Sequence, residues 1–184
     1  CIGGGDAQAH AADVLALRWE DGRIVVERPF PPLPQPIAFA AAARVGNVIY
    51  VAGGMETPTD TVATSTFWAL DLDDMEAGWQ VLPPIPGAGR YNAVAGSLGG
   101  AFYLFSGTEM RPDGQGGVGH RFLTDAYRYT PADGWETLAA LPHTALAVWR
   151  PRRRSDSSTT SSCRSVAVWM NSITAASCRW SRPA

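Results

Sequence analysis

The stretch that decides the fold runs Ala88-Gly-Arg-Tyr-Asn-Ala93, then Gly100-Ala-Phe-Tyr-Leu-Phe-Ser-Gly107, and, after a Gly-rich segment, Leu123-Thr-Asp-Ala-Tyr-Arg-Tyr-Thr-Pro-Ala-Asp-Gly-Trp-Glu136. Residues 102–105 predict a buried strand, because aromatic and aliphatic side chains suit a covered, pleated surface. Residues 125–130 predict a second strand and residues 135–138 a third, separated by the turn residues Pro131 to Gly134. The stretch therefore predicts an antiparallel meander.

The same order of features occurs twice more upstream. Residues 48–54 form a strand pattern that ends in two glycines, and two further strand patterns follow at 66–72 and 78–83. Residues 2–4, 12–17 and 24–27 repeat this order. Gly54 and Gly107 are 53 residues apart, and Trp79 and Trp135 are 56 apart. A period of about 50 residues with four short strands per unit is typical of a propeller blade.

The two glycines, the loop, the aromatic strand and the Gly-Trp pair resemble the kelch repeat. The third unit departs from it, with Ser106 in place of the first glycine, and the first unit lacks the Gly-Trp pair. We therefore predict an all-β fold: a kelch-type β-propeller fragment of about three blades from a ring of six, with a disordered C-terminal tail. The predicted units are about 1–36, 37–86 and 87–143, and the chain is expected to be truncated at its start.

Charge divides the chain at about residue 149. Residues 1–149 contain 8 Arg against 16 Asp or Glu, which argues against a nucleic-acid-binding body, whereas residues 150–184 contain 7 Arg and a single Asp. The segment 144–184 is a low-complexity Ser/Arg tail that lacks the strand–glycine order. Two interpretations stay open, a native regulatory or nucleic-acid-binding tail and the translation of a shifted reading frame; we favour the second. The sequence shows no membrane span.

Motifs for metals and phosphates are not supported. The acidic turn at 71–76 lacks the spacing of an EF-hand, and the glycine-rich loop at 113–119 lacks the Lys-Ser/Thr of a phosphate loop. The three cysteines have no spacing typical of disulfides or metal ligands. The loop 108–121, which is the longest in the chain, is predicted to be flexible.

In a four-stranded blade, the connection between the second and third strands shares one face with the connection into the next blade. Three loops, 6–10, 55–65 and 108–121, and the connector 87–90 should therefore lie on one face. Their charged residues are Asp6, His10, Glu56, Arg90, Glu109, Arg111, His120 and Arg121. A carboxylate beside several guanidinium groups suits an anionic sugar, because Arg binds carboxylates with two hydrogen bonds and Glu can transfer protons.

Two segments, 106–109 and 120–129, resemble the bacterial kelch mutarotases, the N-acetylneuraminate epimerase and cyclically permuted mutarotase group. The resemblance implies that Glu109 and Arg121 are the catalytic pair and that Arg90 and Arg111 bind the substrate. The loop is longer here and Thr108 separates Gly107 from Glu109, so Arg111 could replace Arg121. The implied reaction is acid/base interconversion of sialic acid anomers without a metal or organic cofactor, in the periplasm or outside the cell. The fragment alone is expected to be inactive.

Two alternatives come from other functional classes. A kelch module that binds a glycan or protein without chemistry would look much the same in sequence. A copper enzyme of the galactose oxidase type would need a cross-linked Cys–Tyr pair and His ligands, an arrangement that Cys1, His10, His120 and His143 do not offer.

Overall fold

The computed structural model describes residues 1–147, and this part of the chain consists of β-strands with one short 3-10 turn at Met75–Ala77. The strands are β1 (Leu15–Glu20), β2 (Arg23–Pro29), β3 (Ala41–Val45), β4 (Val48–Ala52), β5 (Phe67–Asp71), β6 (Gln80–Val81), β7 (Val94–Leu98), β8 (Ala101–Phe105), β9 (Thr108–Pro112), β10 (Val118–Phe122), β11 (Ala126–Thr130) and β12 (Gly134–Thr137).

Two antiparallel four-stranded sheets form the centre of the structure. Their orders are β3-β4-β5-β6 and β7-β8-β11-β12, so each sheet is a meander in which the first strand lies at one edge. The ribbon β1-β2 and the hairpin β9-β10 are separate two-stranded sheets. The inner strand β3 lies beside the inner strand β7. Side-by-side meanders of this kind are propeller blades, and the predicted all-β propeller fragment is confirmed.

The repeat is visible in the backbone hydrogen bonds that join one unit to the next. In each unit, the second residue of the glycine pair donates its N–H to a carbonyl about 35 residues further along the chain. The three bonds are Gly4 to Ile37 at 2.8 Å, Gly54 to Arg90 at 2.7 Å and Gly107 to Ala145 at 3.4 Å. Each unit is therefore joined by a backbone hydrogen bond to the beginning of the following unit.

Ser106 occupies the position that glycine fills in the other two units. Its φ of 57° is the left-handed conformation also found at Gly3 and Gly53, with φ of 55° and 66°. A side chain disfavours this conformation by about 1–2 kcal/mol. The serine hydroxyl compensates, because it donates to the Leu123 carbonyl at 2.6 Å and accepts from the Ala145 N–H at 2.9 Å.

Aromatic side chains fill the interface between the two four-stranded sheets. The ring of Phe67 is stacked on Tyr50 at 5.5 Å and lies 4.6 Å from Trp135 and 4.8 Å from Tyr129. A second apolar cluster of Val14, Leu33, Ile37, Val51 and Trp68 joins the first unit to the second. Stacking of units thus buries the faces that a single meander would leave exposed.

The prediction of a flexible loop at 108–121 is wrong. These residues form the hairpin β9-β10, in which Thr108 pairs with Phe122 and Pro112 with Val118. The side chains of Thr108 and Met110 are buried, so β9 has the alternation of a strand, and the glycines are concentrated near the turn. The Asp113 carboxylate closes that turn by accepting from the N–H groups of Gln115 and Gly117.

The predicted unit boundary at 143 and the predicted disordered tail stay predictions, since residues 148–184 lie outside the described part of the chain. The hydrogen-bond pattern of the repeat nevertheless extends past residue 143. The Ala147 N–H donates to the Asn92 carbonyl at 3.0 Å, as the Asn92 N–H donates to the Phe39 carbonyl at 2.9 Å.

Candidate active site

The hairpin β9-β10 places three predicted site residues together. Glu109 and Arg121 are direct partners across the two strands, so their side chains project from the same face. Arg121 Nε donates to Glu109 Oε2 at 2.5 Å, and Arg111 Nη2 donates to the same oxygen at 2.7 Å. The two residues Glu109 and Arg111 share a face because they are two positions apart in a strand. The structure thus forms the predicted cluster of one carboxylate and two guanidinium groups.

Both arginines of this cluster are open to solvent, whereas the carboxylate is largely covered. The side chains of Arg111 and Arg121 are 55% and 59% exposed, and that of Glu109 is 16% exposed. Each guanidinium uses one nitrogen for Glu109, which leaves further N–H donors directed away from it. Both arginines bind Oε2, and within residues 1–147 no hydrogen bond to Glu109 Oε1 occurs. The cluster therefore offers donors for an anion beside a carboxylate oxygen that can accept a proton.

Electrostatics keep Glu109 ionised. Desolvation raises its pKa, but the hydrogen bonds and charges of Arg121 and Arg111 outweigh that effect and hold the pKa below its usual value. At neutral pH the side chain is a proton acceptor with its charge balanced by two cations. In general acid–base chemistry such a group begins the reaction as the base.

Arg90, the fourth predicted site residue, lies outside this cluster. Its side chain is fully buried and forms two parallel hydrogen bonds to Asp125, at 2.6 and 2.9 Å. Its Nη1 also donates to the Ser106 carbonyl at 3.0 Å, and the guanidinium lies over the ring of Tyr127 at 5.1 Å. A direct contact between Arg90 and substrate stays a prediction; the observed bonds favour a supporting role.

This Arg90–Asp125 pair fixes both ends of the hairpin that carries Glu109. Ser106 precedes β9, and Asp125 follows β10 after a connection of two residues. Ser106 donates its N–H to the Asp125 carbonyl at 2.9 Å, and its hydroxyl donates to Leu123. Bonds of this kind hold the strand ends in place, so the side chains of the cluster are positioned by an ion pair that they do not touch.

Three further residues that the sequence predicted for this face, His10, Glu56 and His120, have hydrogen-bond partners within the protein. His10 Nδ1 lies 2.9 Å from the Met55 carbonyl, and His120 Nδ1 lies 3.1 Å from the Tyr91 hydroxyl. The backbone N–H of Glu56 donates to the Asp60 carboxylate at 2.8 Å. Sequence reasoning missed Asp125 as the partner of Arg90, and it missed Phe39 and Tyr91 beside the histidines. The Leu-Thr-Asp motif was the available signal for Asp125; nothing in the pattern marks Phe39.

Two negative findings apply to residues 1–147. That range contains no group of three or more His, Cys, Asp or Glu side chains arranged to hold a metal ion. It also contains no helix with the length and hydropathy needed to cross a membrane.

Comparison with known proteins identifies relatives along most of the chain. A model of the family described as N-acetylneuraminate epimerase matches residues 30–148. Curated proteins of that name from Brucella suis and Brucella melitensis are each 33% identical over 134 residues, covering 72% of this chain and 32% of the relative. A third from Yersinia enterocolitica is 32% identical over 111 residues. The chain thus spans about a third of the length of these relatives.

A solved structure titled "Structure of YjhT" shares the fold. It matches with a TM-score of 0.59 at 15% identity and covers 75% of this chain and 41% of that one. The family model matches well over half of the chain, residues 30–148. The chain belongs to the N-acetylneuraminate epimerase family.

Proposed function

We propose that the ion cluster of Glu109, Arg111 and Arg121 takes part in the interconversion of the anomers of a sialic acid. The observation that carries this proposal is an ionised carboxylate held between two exposed guanidinium groups that both bind its Oε2, which leaves Oε1 as an acceptor. A sialic acid offers the matching chemistry, a carboxylate on the anomeric carbon next to an ionisable hydroxyl. Guanidinium groups bind a carboxylate with paired hydrogen bonds.

Ring opening moves one proton from the anomeric hydroxyl to the ring oxygen and breaks the bond between the anomeric carbon and the ring oxygen; ring closure reverses both changes. Glu109 takes the proton from the anomeric hydroxyl, the carbonyl forms as the bond to the ring oxygen breaks, and that proton passes to the ring oxygen from Glu109 or through the second proton-transfer partner. The open chain rotates about the bond next to the carbonyl and closes on its other side. Arg121 or Arg111 holds the sugar carboxylate or serves as the second proton-transfer partner, and no cofactor is needed. We place the protein in the periplasm or outside the cell, as the family resemblance implies.

The chain corresponds to about a third of its relatives, so the test uses a ring of full length. Residues 30–147 replace the matching segment of the Brucella suis relative, and the chimera is mixed with fresh α-N-acetylneuraminic acid. The signals of the C3 methylene protons, which differ between the anomers, are followed by NMR. We expect faster equilibration than in buffer, and no acceleration by the 184-residue chain alone.

The matched pair of variants is Glu109→Gln and Glu136→Gln. Both glutamates accept from an arginine on a neighbouring strand, since Arg128 binds Glu136 at 3.1 Å. Loss of a general base reduces the rate by about 100-fold or more. We therefore expect such a loss for E109Q and an unchanged rate for E136Q. A folded chimera that does not accelerate the reaction would favour the alternative, a non-catalytic kelch module that binds a glycan or protein.

A further inference from the structure

Four aromatic rings form a continuous row across the three units. The ring of Phe39 lies 5.9 Å from His10 and 6.3 Å from Tyr91, and Tyr91 lies 6.4 Å from His120. Each neighbouring pair is close to perpendicular, with interplanar angles of 70–79°. The Tyr91 hydroxyl also contacts His120 Nδ1 at 3.1 Å. We name this set the aromatic row.

Phe39 occupies an unfavourable backbone conformation. Its φ is 60°, in the left-handed region, which is a clear outlier for a bulky residue. Asn92 holds the equivalent position in the next unit with a φ of 54°, and asparagine suits that conformation. The Phe39 side chain is 41% exposed, so burial in a core does not explain why a phenylalanine stands there. Strain at an exposed residue is a feature of binding sites.

The row and the ion cluster lie on opposite faces of the hairpin β9-β10. His120 pairs with Met110, and Glu109 pairs with Arg121, in successive positions of the same register. Because side chains of successive residues alternate between the faces of a strand, His120 and Glu109 project in opposite directions. The aromatic row is thus separated from the ion cluster by the hairpin and is a second surface, not part of the carboxylate-binding geometry.

We propose that the aromatic row is a carbohydrate-binding subsite, which takes the apolar C–H face of a pyranose or its N-acetyl methyl group. Aromatic faces are electron-rich and attract weakly positive C–H groups, and the hydroxyl and imidazole groups along the row can bond to sugar hydroxyls. The row consists of four side chains, far fewer than the roughly 20–30 residues per partner of a standard protein interface, which favours a small ligand. The choice of an N-acetylated sugar acid as ligand rests on the proposed function.

The probe is the methyl glycoside of N-acetylneuraminic acid, which cannot open its ring. Its binding to the 184-residue chain is measured by saturation-transfer NMR, a readout that does not depend on turnover. The variant Phe39→Asn removes the ring and installs the residue that Asn92 already has in that conformation. Leu98→Asn is the control, since Leu98 is an exposed apolar residue at the far end of its inner strand.

We expect the wild-type chain to show saturation of the N-acetyl methyl and ring protons. The dissociation constant should rise about three- to tenfold in F39N, in line with the worth of one aromatic contact, and stay the same in L98N. F39N should keep the thermal midpoint or raise it, because strain is relieved. If F39N does not fold, Tyr91→Leu removes the neighbouring ring and is expected to weaken binding similarly.

Two results would overturn the subsite: no saturation of the probe by the wild-type chain, or equal affinity in F39N and wild type. The variant E109Q separates this proposal from the proposed function. Binding to the row should survive E109Q while anomer interconversion by the chimera is lost. An inactive wild-type chimera together with F39N-sensitive binding would contradict the proposed function and leave the subsite standing.

Discussion

At the scale of a single residue, the carboxylate of Asp125 joins Arg90 of the connector 87–90 to Tyr127 of strand β11. It accepts two hydrogen bonds from the buried Arg90 and one from the Tyr127 hydroxyl at 2.8 Å. Desolvation raises the pKa of Asp125, but the bonds and charge of Arg90 and the bond from Tyr127 outweigh it and lower the pKa overall. The folded state therefore prefers the ionised carboxylate more than the unfolded state does.

This depressed pKa predicts acid-sensitive stability. The contribution of Asp125 is fully present above the pKa of an unfolded Asp, about 4, and is lost as pH falls through its lower folded value. Asp125→Asn should destabilise the chain at pH 7 by about 3 kcal/mol, because it leaves the Arg90 charge buried without its partner. The loss of stability between pH 5 and 2 should become smaller in the variant. Urea unfolding at several pH values measures both effects.

Asp21→Asn is the control for this experiment, since Asp21 is an exposed turn residue with a φ of 49° that asparagine also adopts. Equal acid sensitivity of D125N and wild type would contradict the assigned role of the ion pair.

At this scale the sequence predicted the partners of some site residues and not of others, for a physical reason. The grouping of Glu109 with Arg121 followed from a family motif whose two residues are partners across a hairpin. The partner of Arg90 is 35 residues away, and several aspartates were available as candidates in the sequence. The strained backbone at Phe39 could not be recognised in the sequence, because its conformation depends on neighbours in the adjacent unit, such as Asn92.

At the scale of one element, the hairpin β9-β10 depends on its turn. The Asp113 carboxylate binds the Gly117 N–H at 2.9 Å, and a Cβ at Gly117 would lie 2.4 Å from that carboxylate. Gly117→Ala should therefore open the turn and loosen the register that pairs Glu109 with Arg121. We expect faster hydrogen exchange of the hairpin amides and a lower rate of anomer interconversion in the chimera.

Gly119→Ala is the matched control for that turn variant. A Cβ at Gly119 would meet only the Arg111 carbonyl, at the ordinary distance of 3.8 Å. If the hairpin amides exchanged no faster in G117A than in G119A, the turn would not be the feature that stabilises the hairpin.

The elements were predictable wherever aromatic and apolar residues alternate with turn residues, as in β4, β5, β8 and β11. The hairpin was not, because its glycines were read as a sign of flexibility. The glycines near the turn bend the chain there, whereas the buried positions of Thr108 and Met110 specify a strand.

At the scale of the whole molecule, the ribbon β1-β2 presents an uncovered apolar face. Leu17 pairs with Val26 and Trp19 with Ile24, so the four side chains share one face. Trp19 is 70% exposed and Ile24 66% exposed. Contiguous exposed apolar side chains on a two-stranded ribbon promote association.

We expect the 184-residue chain to associate as its concentration rises, through this face. Trp19→Ser combined with Ile24→Thr should shift the mass measured by light scattering toward that of the monomer. The control is Val81→Thr, an exposed residue on the separate strand β6. A wild-type chain that is monomeric at every concentration would contradict the expectation.

The overall architecture was predictable because a period of about 50 residues repeats three times, and repetition survives the variation of single residues. The prediction that the loops 6–10, 55–65 and 108–121 and the connector 87–90 share one face stays a prediction.

The long-range N–H bonds of Gly4, Gly54 and Gly107 have a consequence for how such a chain is made. Each of these donors obtains its acceptor only after the start of the next unit has been synthesised, at Ile37, Arg90 and Ala145 respectively. A buried N–H without an acceptor is unfavourable, so a blade that leaves the ribosome cannot finish folding by itself. Folding should therefore be completed blade by blade toward the C-terminus, because each new blade supplies the acceptor that the previous one lacks. A nascent chain halted within a unit should leave the preceding blade sensitive to proteases.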